Sequence, residues 1–322
     1  MLYGKYDFHC ALKTESILPV YKGSTFRGVF GLALKKVVCA LKQQDCNDCI
    51  LKKRCVYSRI FETGEPLILP DGKTIHSPPR PFVIEPPLTR QEHFPAGSHF
   101  DFSLLLFGEA NHNLPYFVYA FEQMGKMGIG KRVNGKRGIF SLKRVSSQNK
   151  IIFSDVDKQL DMEDAFADIM VGNPDIMVGS PETTSRADDL FRVKITLETP
   201  LRFKYKNRLA NQLPFHLFTQ IMLRRINFLS YCCDTRRPEL HYSDLLDRAG
   251  DVEIVENRLQ WFDWTRYSGR QEKSMMMGGM VGDIVYEGRL AEYLPLMEFC
   301  EKVHVGKQAA FGLGKFGFEV LG

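Results

Sequence analysis

The chain has 322 residues, 44% of them hydrophobic and 25% charged, and its 24 Phe and 12 Tyr can fill cores for two domains of ordinary size. A chain disordered throughout is excluded, while the net charge of +5 is too small an excess to identify a partner. No apolar stretch reaches the roughly 18 residues of a membrane span, and the opening residues MLYGKYDFHC lack a basic segment followed by an apolar one. A cytoplasmic protein is therefore expected. Its eight cysteines are read as thiols or metal ligands rather than as a disulfide framework.

Tyr6, Phe8, Cys10 and Leu12 alternate with polar residues and predict a half-buried strand. A loop with Pro19 and Gly23 follows, and residues 27–42 then carry Val29, Phe30, Ala33, Leu34, Val37 and Leu41 at helical spacing. The same order recurs. Phe191, Val193, Ile195 and Leu197 alternate as a strand, and a loop with Pro200 and Pro214 follows. A helix then begins near Phe215, with Phe218, Met222, Ile226 and Leu229 on one stripe and Arg224 and Arg225 off it. The ends of the two halves correspond too, since residues 125–145 and 304–320 each read as a glycine-rich, lysine-bearing loop running into an alternating strand. Two copies of one β–α–β unit predict an α+β fold of two tandem ferredoxin-like (RRM-like) domains with a C-terminal glycine-rich loop. The boundaries follow as residues 1–154, with a cysteine cluster inserted, an acidic linker at 155–188, and residues 189–322.

Charge is unevenly spread. Residues 122–150 hold eight Lys and Arg against one acid, whereas residues 155–189 hold ten acids against Lys158 and Arg186. This suggests a basic binding strip, including Lys131, Arg132, Lys136 and Arg137, followed by a linker. Two solvated faces would give the same counts.

Cys39, Cys46, Cys49 and Cys55 form C-x6-C-x2-C-x5-C. Four thiolates this close can wrap one tetrahedral zinc with no open position, so such a site is structural. An iron–sulfur cluster uses the same ligand set and is the weaker fit, and plain reduced thiols remain an alternative. Cys10, Cys232, Cys233 and Cys300 lie in apolar segments and read as core.

Two nucleotide-like glycine patterns are rejected. Gly312-Leu-Gly314-Lys-Phe-Gly317 matches G-x-G-x-x-G, but strand rather than helix follows it. Gly125-x4-Gly130-Lys131 has Arg132 where a P-loop needs Ser or Thr. The stretch from Gly306 and Lys307 to Gly312, Gly314 and Lys315 can instead bring backbone N–H groups and two ammonium groups close to a phosphodiester, or simply make a tight connection. Trp261, Trp264, Arg266, Tyr267 and Arg270 interleave aromatics with cations, a pattern able to stack bases and pair phosphates, although Trp261 also suits a core face.

These pieces together resemble a family. Gly-Ser-Thr-Phe-Arg-Gly at 23–28, the cysteine cluster ending Cys55-Val-Tyr57 with Phe61-Glu62, Gly128-Ile-Gly130-Lys131, Trp261 to Gln271, Gly278-Gly279-Met-Val-Gly282 and His304 through Gly314 run in order along nearly the whole chain. The chain resembles the CRISPR-associated endoribonucleases that process precursor crRNA, the "Cas six" family of the RAMP superfamily. The resemblance implies two ferredoxin-like domains and binding of CRISPR repeat RNA. It also implies cleavage without a catalytic cofactor or metal, leaving a 2′,3′-cyclic phosphate and a 5′-hydroxyl. No membrane partner is implied, and a monomer or homodimer that joins CRISPR effector subunits is the expected state. The alternative is a non-cleaving RAMP subunit that holds crRNA in an effector complex.

The sequence departs from that family where many members carry a general-base histidine, because residues 22–42 contain none. His304, at the head of the glycine loop, is the candidate base, since an unperturbed imidazole titrates near neutrality. A satisfied strand histidine would read the same way. Arg27, at the start of the first helix, suits stabilisation of the charged phosphorane but not proton removal. Tyr21 and Lys36 are weaker candidates, and no motif raises the other histidines.

Overall fold

The computed structural model describes the chain apart from residues 43–44, 63–65, 69–71, 73, 77, 172–189, 235, 237–239, 269–272 and 322, and apart from the side chains of residues 266–268 and 273–274. The chain forms two compact units, Leu2–Asp168 and Ile169–Gly322, the second joined by Met1.

In the first unit, the strand expected from alternation is β1 (Leu2–Leu12), followed by α1 (Gly23–Val38) and the short α2 (Val56–Phe61). Then come β2 (Phe82–Glu85), β3 (His99–Phe107) and α3 (Leu114–Met127). A hairpin of β4 (Ile129–Val133) and β5 (Lys136–Gly138) precedes β6 (Phe140–Ser147), β7 (Lys150–Ser154) and β8 (Ala167–Asp168). The sheet runs β7-β6-β1-β3-β2, and β8 pairs with the start of β1. Without β7 and β8, the order fourth-first-third-second is that of a ferredoxin-like βαββαβ unit. The β1 residues Tyr6, Phe8, Cys10 and Leu12 all point inward. Phe8 and Phe30 both pack on Phe121 there, the Phe30 and Phe121 rings stacked at 4.4 Å, and Phe26 joins them through Phe102. Each buried ring contributes about 1.5–3 kcal/mol through lost water contact.

Helix α1 runs from 23 to 38 rather than over the expected 27–42. The chain turns extended at Cys39 (φ −81, ψ 108), so Leu41 leaves the apolar stripe and is 40% exposed. Residues 155–168, expected in the acidic linker, instead belong to the first unit. Ala165 is buried, its carbonyl accepts from Ser147 Oγ at 2.7 Å, and Lys143 and Lys150 pair with Asp155 and Asp161 at 2.8 and 2.7 Å. Part of the acidic run thus folds back onto the basic strip. The rest of the expected linker, from residue 172, lies outside the described residues.

The second unit repeats the plan with β9 (Phe191–Leu201), α4 (Phe215–Cys233), α5 (Tyr242–Arg248), β10 (Glu253–Asn257), β11 (Gln260–Ser268), β12 (Lys273–Gly288), α6 (Leu294–Val303) and β13 (Phe316–Leu321). Its sheet runs β10-β12-β9-β13, with β11 pairing β12. Val193, Ile195 and Leu197 of β9 pack inward, as do Phe218, Met222 and Ile226 of α4. Among the described residues no helix is long and apolar enough to cross a membrane.

Candidate nucleic-acid interface

Helix α6 ends at Val303, and His304 leaves it with φ 59 and ψ 154, a region almost reserved for glycine. The His304 ring is fully buried, with Nδ1 3.1 Å from the Leu313 carbonyl oxygen. The loop between them is tied to the end of β9. Lys307 N–H donates to Arg202 O at 2.7 Å, Gly314 N–H to Pro200 O at 3.2 Å, and Lys315 N–H to Thr199 Oγ1 at 2.8 Å. Val305 N–H closes the loop on Gly314 O at 3.0 Å, and a Cβ on Gly314 would lie 1.7 Å from Val305 O. Beneath it, the buried Arg225 of α4 donates from Nε and Nη2 to Val303 O at 3.2 and 2.7 Å. Burial lowers the Arg225 guanidinium to about 10.

This geometry changes the reading of the loop. Gly312 and Gly314, expected to meet RNA, are buried, and their N–H groups are held by Ala309 O and Pro200 O. Lys315 sits 3.2 Å from Glu198, which offsets its charge. His304, expected as general base, does not reach solvent because its ring is the clasp that closes the loop. Lys307 is exposed, and Gly306 is partly so.

Lys307 is not alone. Its pKa is lowered, first by partial desolvation and then by the positive charges of Lys204, Arg224 and Arg202. Four cations therefore converge beside the glycine loop. Three of them were missed as site residues in the sequence, although the run Arg202-Phe-Lys204-Tyr-Lys206-Asn-Arg208 carries the signal of alternating cations and aromatics. Residues 204–205 pair with 208–209 around a turn in which Lys206 and Asn207 both have positive φ (47 and 64). The hairpin is exposed throughout. Arg202 is aimed by a 2.8 Å bond from Nη1 to Gly278 O.

The first unit carries a similar finger. Lys131, Arg132, Lys136 and Arg137 are all exposed on the β4–β5 hairpin, whose turn residues Asn134 and Gly135 have φ 50 and 78, as a two-residue hairpin turn needs. Ser16 Oγ fastens its root to Ile129 O at 3.3 Å.

Arg27 lies on the first turns of α1 with its guanidinium carbon 4.2 Å from the centre of the Phe61 ring, a cation–π seat. Phe61 stacks on Tyr57 at 5.4 Å, and a Cβ on Gly31 would lie 2.5 Å from the Phe61 ring, so α1 and α2 touch closely here. Burial and the neighbouring Glu62 push the Tyr57 hydroxyl up to about 12, while Arg27 opposes them. Tyr21 is buried and its hydroxyl is pushed up by burial, which removes it from the surface. Lys36 is exposed.

Trp261 is 39% exposed, and its indole lies over Gly278, where a Cβ would be 2.5 Å from Nε1. It is a partly open platform rather than a core residue. The Arg266 and Tyr267 side chains, and Arg270 as a whole, lie outside the described residues. Cys39, Cys46, Cys49 and Cys55 line one cavity with Leu41, Lys52, Tyr57 and Ser58. Among the described residues, no three Cys, His, Asp or Glu side chains stand close enough to hold a metal ion as placed. Cys10 and Cys300 are core residues as expected, but Cys232 is exposed at the end of α4.

Each unit has a counterpart among known protein families. Residues 195–316 match the family model of the CRISPR-associated endoribonuclease Cas6, and residues 1–165 match the model of the AF_1859_N N-terminal domain. An uncharacterized protein of Archaeoglobus fulgidus is 30% identical over 112 residues, which cover 35% of this chain and 37% of that relative's own length. Among solved structures, a Cas6 product complex superposes with a TM-score of 0.56 at 13% identity, covering 98% of this chain and 100% of that one. Thermus thermophilus Cas6 superposes with a TM-score of 0.52 at 12% identity, covering 99% and 98%. A chain of a partial Cas6-RT-Cas1–Cas2 complex gives 0.53 at 12% identity, covering 99% of this chain and 46% of that one. At such identities these structures establish the shared fold. With residues 1–165, just over half of the chain, matched in this way, the chain belongs to the family of the AF_1859_N N-terminal domain, and residues 195–316 are similar to the CRISPR-associated endoribonuclease Cas6.

Proposed function

We propose that this protein binds CRISPR repeat RNA and cleaves precursor crRNA by attack of the RNA's own 2′-hydroxyl on the adjacent phosphate. The products are a 2′,3′-cyclic phosphate and a 5′-hydroxyl, and no metal takes part. The observation that carries the reading is the convergence of Arg202, Lys204, Arg224 and Lys307 beside the glycine loop, where partial desolvation first and then the three neighbouring charges lower the Lys307 pKa. Cations held together at a mutual cost are relieved by a polyanion, and each phosphate they meet releases counterions. The exposed cations of the β4–β5 hairpin in the first unit support the same ligand.

His304 is assigned to positioning, because a buried ring cannot take a proton from an RNA hydroxyl. Arg27 stabilises the phosphorane, since its guanidinium is always charged and its planar face is fixed on Phe61. The remaining rate enhancement comes from holding the 2′-oxygen, the phosphorus and the leaving oxygen in line.

The test is cleavage of a cognate repeat RNA, with protein in excess and chelator present, followed by analysis of both new ends. One cut leaving a cyclic phosphate supports the proposal. A cut that needs added metal, or that leaves a 5′-phosphate, sinks the mechanism. The burial of His304 and the lack of histidine on α1 favour one second reading, a subunit that holds crRNA without cutting it. Tight repeat binding with no cleavage would select that reading.

A further inference from the structure

Among its described residues, the connection from α1 to α2 has little apolar packing to hold it. It spans seventeen residues, 39 to 55, longer than loops without secondary structure usually run in compact domains. Its described residues form only turns and bends. Its described aliphatic residues build no core, because Leu41, Ile50 and Leu51 are 40%, 86% and 43% exposed. Local hydrogen bonds shape it, with Asn47 N–H donating to Asp45 Oδ1 at 2.8 Å, Lys52 N–H to Cys49 O at 3.0 Å and Cys55 N–H to Leu51 O at 2.8 Å. These turns bring Cys46, Cys49 and Cys55 to the same cavity as Cys39. Cys39 follows the last residue of α1, and Cys55 precedes the first residue of α2.

We propose that Cys39, Cys46, Cys49 and Cys55 bind one zinc ion as a closed, four-thiolate structural site that fastens α2 to the end of α1. The donor set is the one zinc prefers, and four thiolates leave no position for water or substrate. The four side chains ring the cavity without standing at metal-binding separation, so zinc draws the sulfurs inward to about 2.3 Å from the ion. Four thiolates around a divalent ion carry two net negative charges, and Lys52, on the cavity wall, offsets part of them. Zinc replaces the hydrophobic core that this segment lacks, as metals do in other small core-poor elements. The consequence reaches Arg27. Its seat, Phe61, is the last residue of α2, so whatever fixes α2 against α1 fixes the guanidinium.

The site is tested on the whole, untagged protein, independently of any cleavage assay. Elemental analysis should find about one zinc per chain. Alkylation followed by peptide mapping should show Cys39, Cys46, Cys49 and Cys55 protected until a chelator is added, with the exposed Cys232 reactive throughout. Cobalt in place of zinc should give the visible bands of a tetrahedral four-thiolate ion, and these should be lost in Cys46→Ser/Cys49→Ser. The alkylation pattern needs no variant to fold. Equal reactivity of the four thiols with and without zinc would overturn the proposal. So would full zinc content in the double variant, or a brown iron–sulfur chromophore with iron in place of zinc.

Discussion

After its second long helix, each unit leaves through a residue of positive φ, Gly128 in the first (φ 77, ψ 157) and His304 in the second (φ 59, ψ 154). In the first unit the chain then pairs with itself and projects an exposed hairpin of four cations. In the second it pairs with the end of β9 and is drawn inside, so its glycines become packing residues. Glycine adopts this conformation freely, whereas histidine does so at a cost of about 1–3 kcal/mol. The buried ring on Leu313 O shows what offsets that cost. Similar glycine-and-lysine sequences thus make an exposed finger in one unit and a fixed clasp in the other. In the second unit Lys307 stays exposed on the loop, and a different hairpin adds Lys204, Lys206 and Arg208.

Substitutions at the two loops break the comparison most sharply. Gly314→Ala places a Cβ 1.7 Å from Val305 O, which costs about 3 kcal/mol or more through overlap and strain. In Gly128→Ala the nearest atom is Arg137 Cβ at 2.9 Å, so the loss should be about 1–2 kcal/mol. Urea unfolding of both variants checks the ranking, and equal losses would show that the second loop is no tighter than the first.

His304→Ala removes a buried ring and its hydrogen bond, with an expected loss of about 2–4 kcal/mol. Repeat binding and cleavage should weaken together. Arg27→Ala should instead slow single-turnover cleavage by roughly 10²–10³-fold with binding nearly unchanged. Normal stability in His304→Ala, with cleavage alone lost, would restore the histidine to catalysis.

The two basic fingers should behave alike in salt. Replacing Lys131, Arg132, Lys136 and Arg137 by Ala should flatten the dependence of log Kd on log salt by up to about 3, if all four meet single-stranded phosphates. Stability should stay within about 0.5 kcal/mol, as these side chains are exposed. Lys204→Ala/Lys206→Ala/Arg208→Ala should flatten it by up to about 2. An unchanged slope in either set removes that hairpin from the interface.

The smallest effect is a proton. Desolvation and its cationic neighbours hold Lys307 below its ordinary 10.5, so the charged form weakens the fold. Stability should therefore rise slightly as pH climbs through the window below 10.5, where Lys307 discharges in the folded chain before it does in the unfolded one. Bound phosphate reverses the preference, and RNA binding in that window should take up protons. Calorimetry in two buffers of different ionisation enthalpy measures the uptake, which Lys307→Ala should abolish.

Much of the fold is legible in local pattern. Tyr6 to Leu12 and Phe191 to Leu197 alternate because one face of each strand is buried. The helical stripes follow because Phe30, Leu34, Phe218 and Met222 must meet those faces. The first finger is legible too, since Asn134-Gly135 between cations needs only local geometry to project. The second is as plain in composition, yet its alternating cations lie in a stretch between a strand and a helix that draws attention only when Lys307 is brought beside it.

The sequence by itself determined the two-fold repeat, the ferredoxin-like order of elements and the basic character of both halves, because periodicity and turn chemistry act over a few residues. Only the tertiary structure decided which glycines face outward and which are buried. It also decided that part of the acidic run belongs to the first unit, and that His304 is a clasp. Those outcomes depend on partners far apart in the chain: Pro200 and Arg202 for the glycine loop, Ser147 and Leu2 for residues 165 and 168, and Val303, held by Arg225, next to His304. A residue's chemistry is written in its side chain, but its exposure is set by which distant backbone it must satisfy.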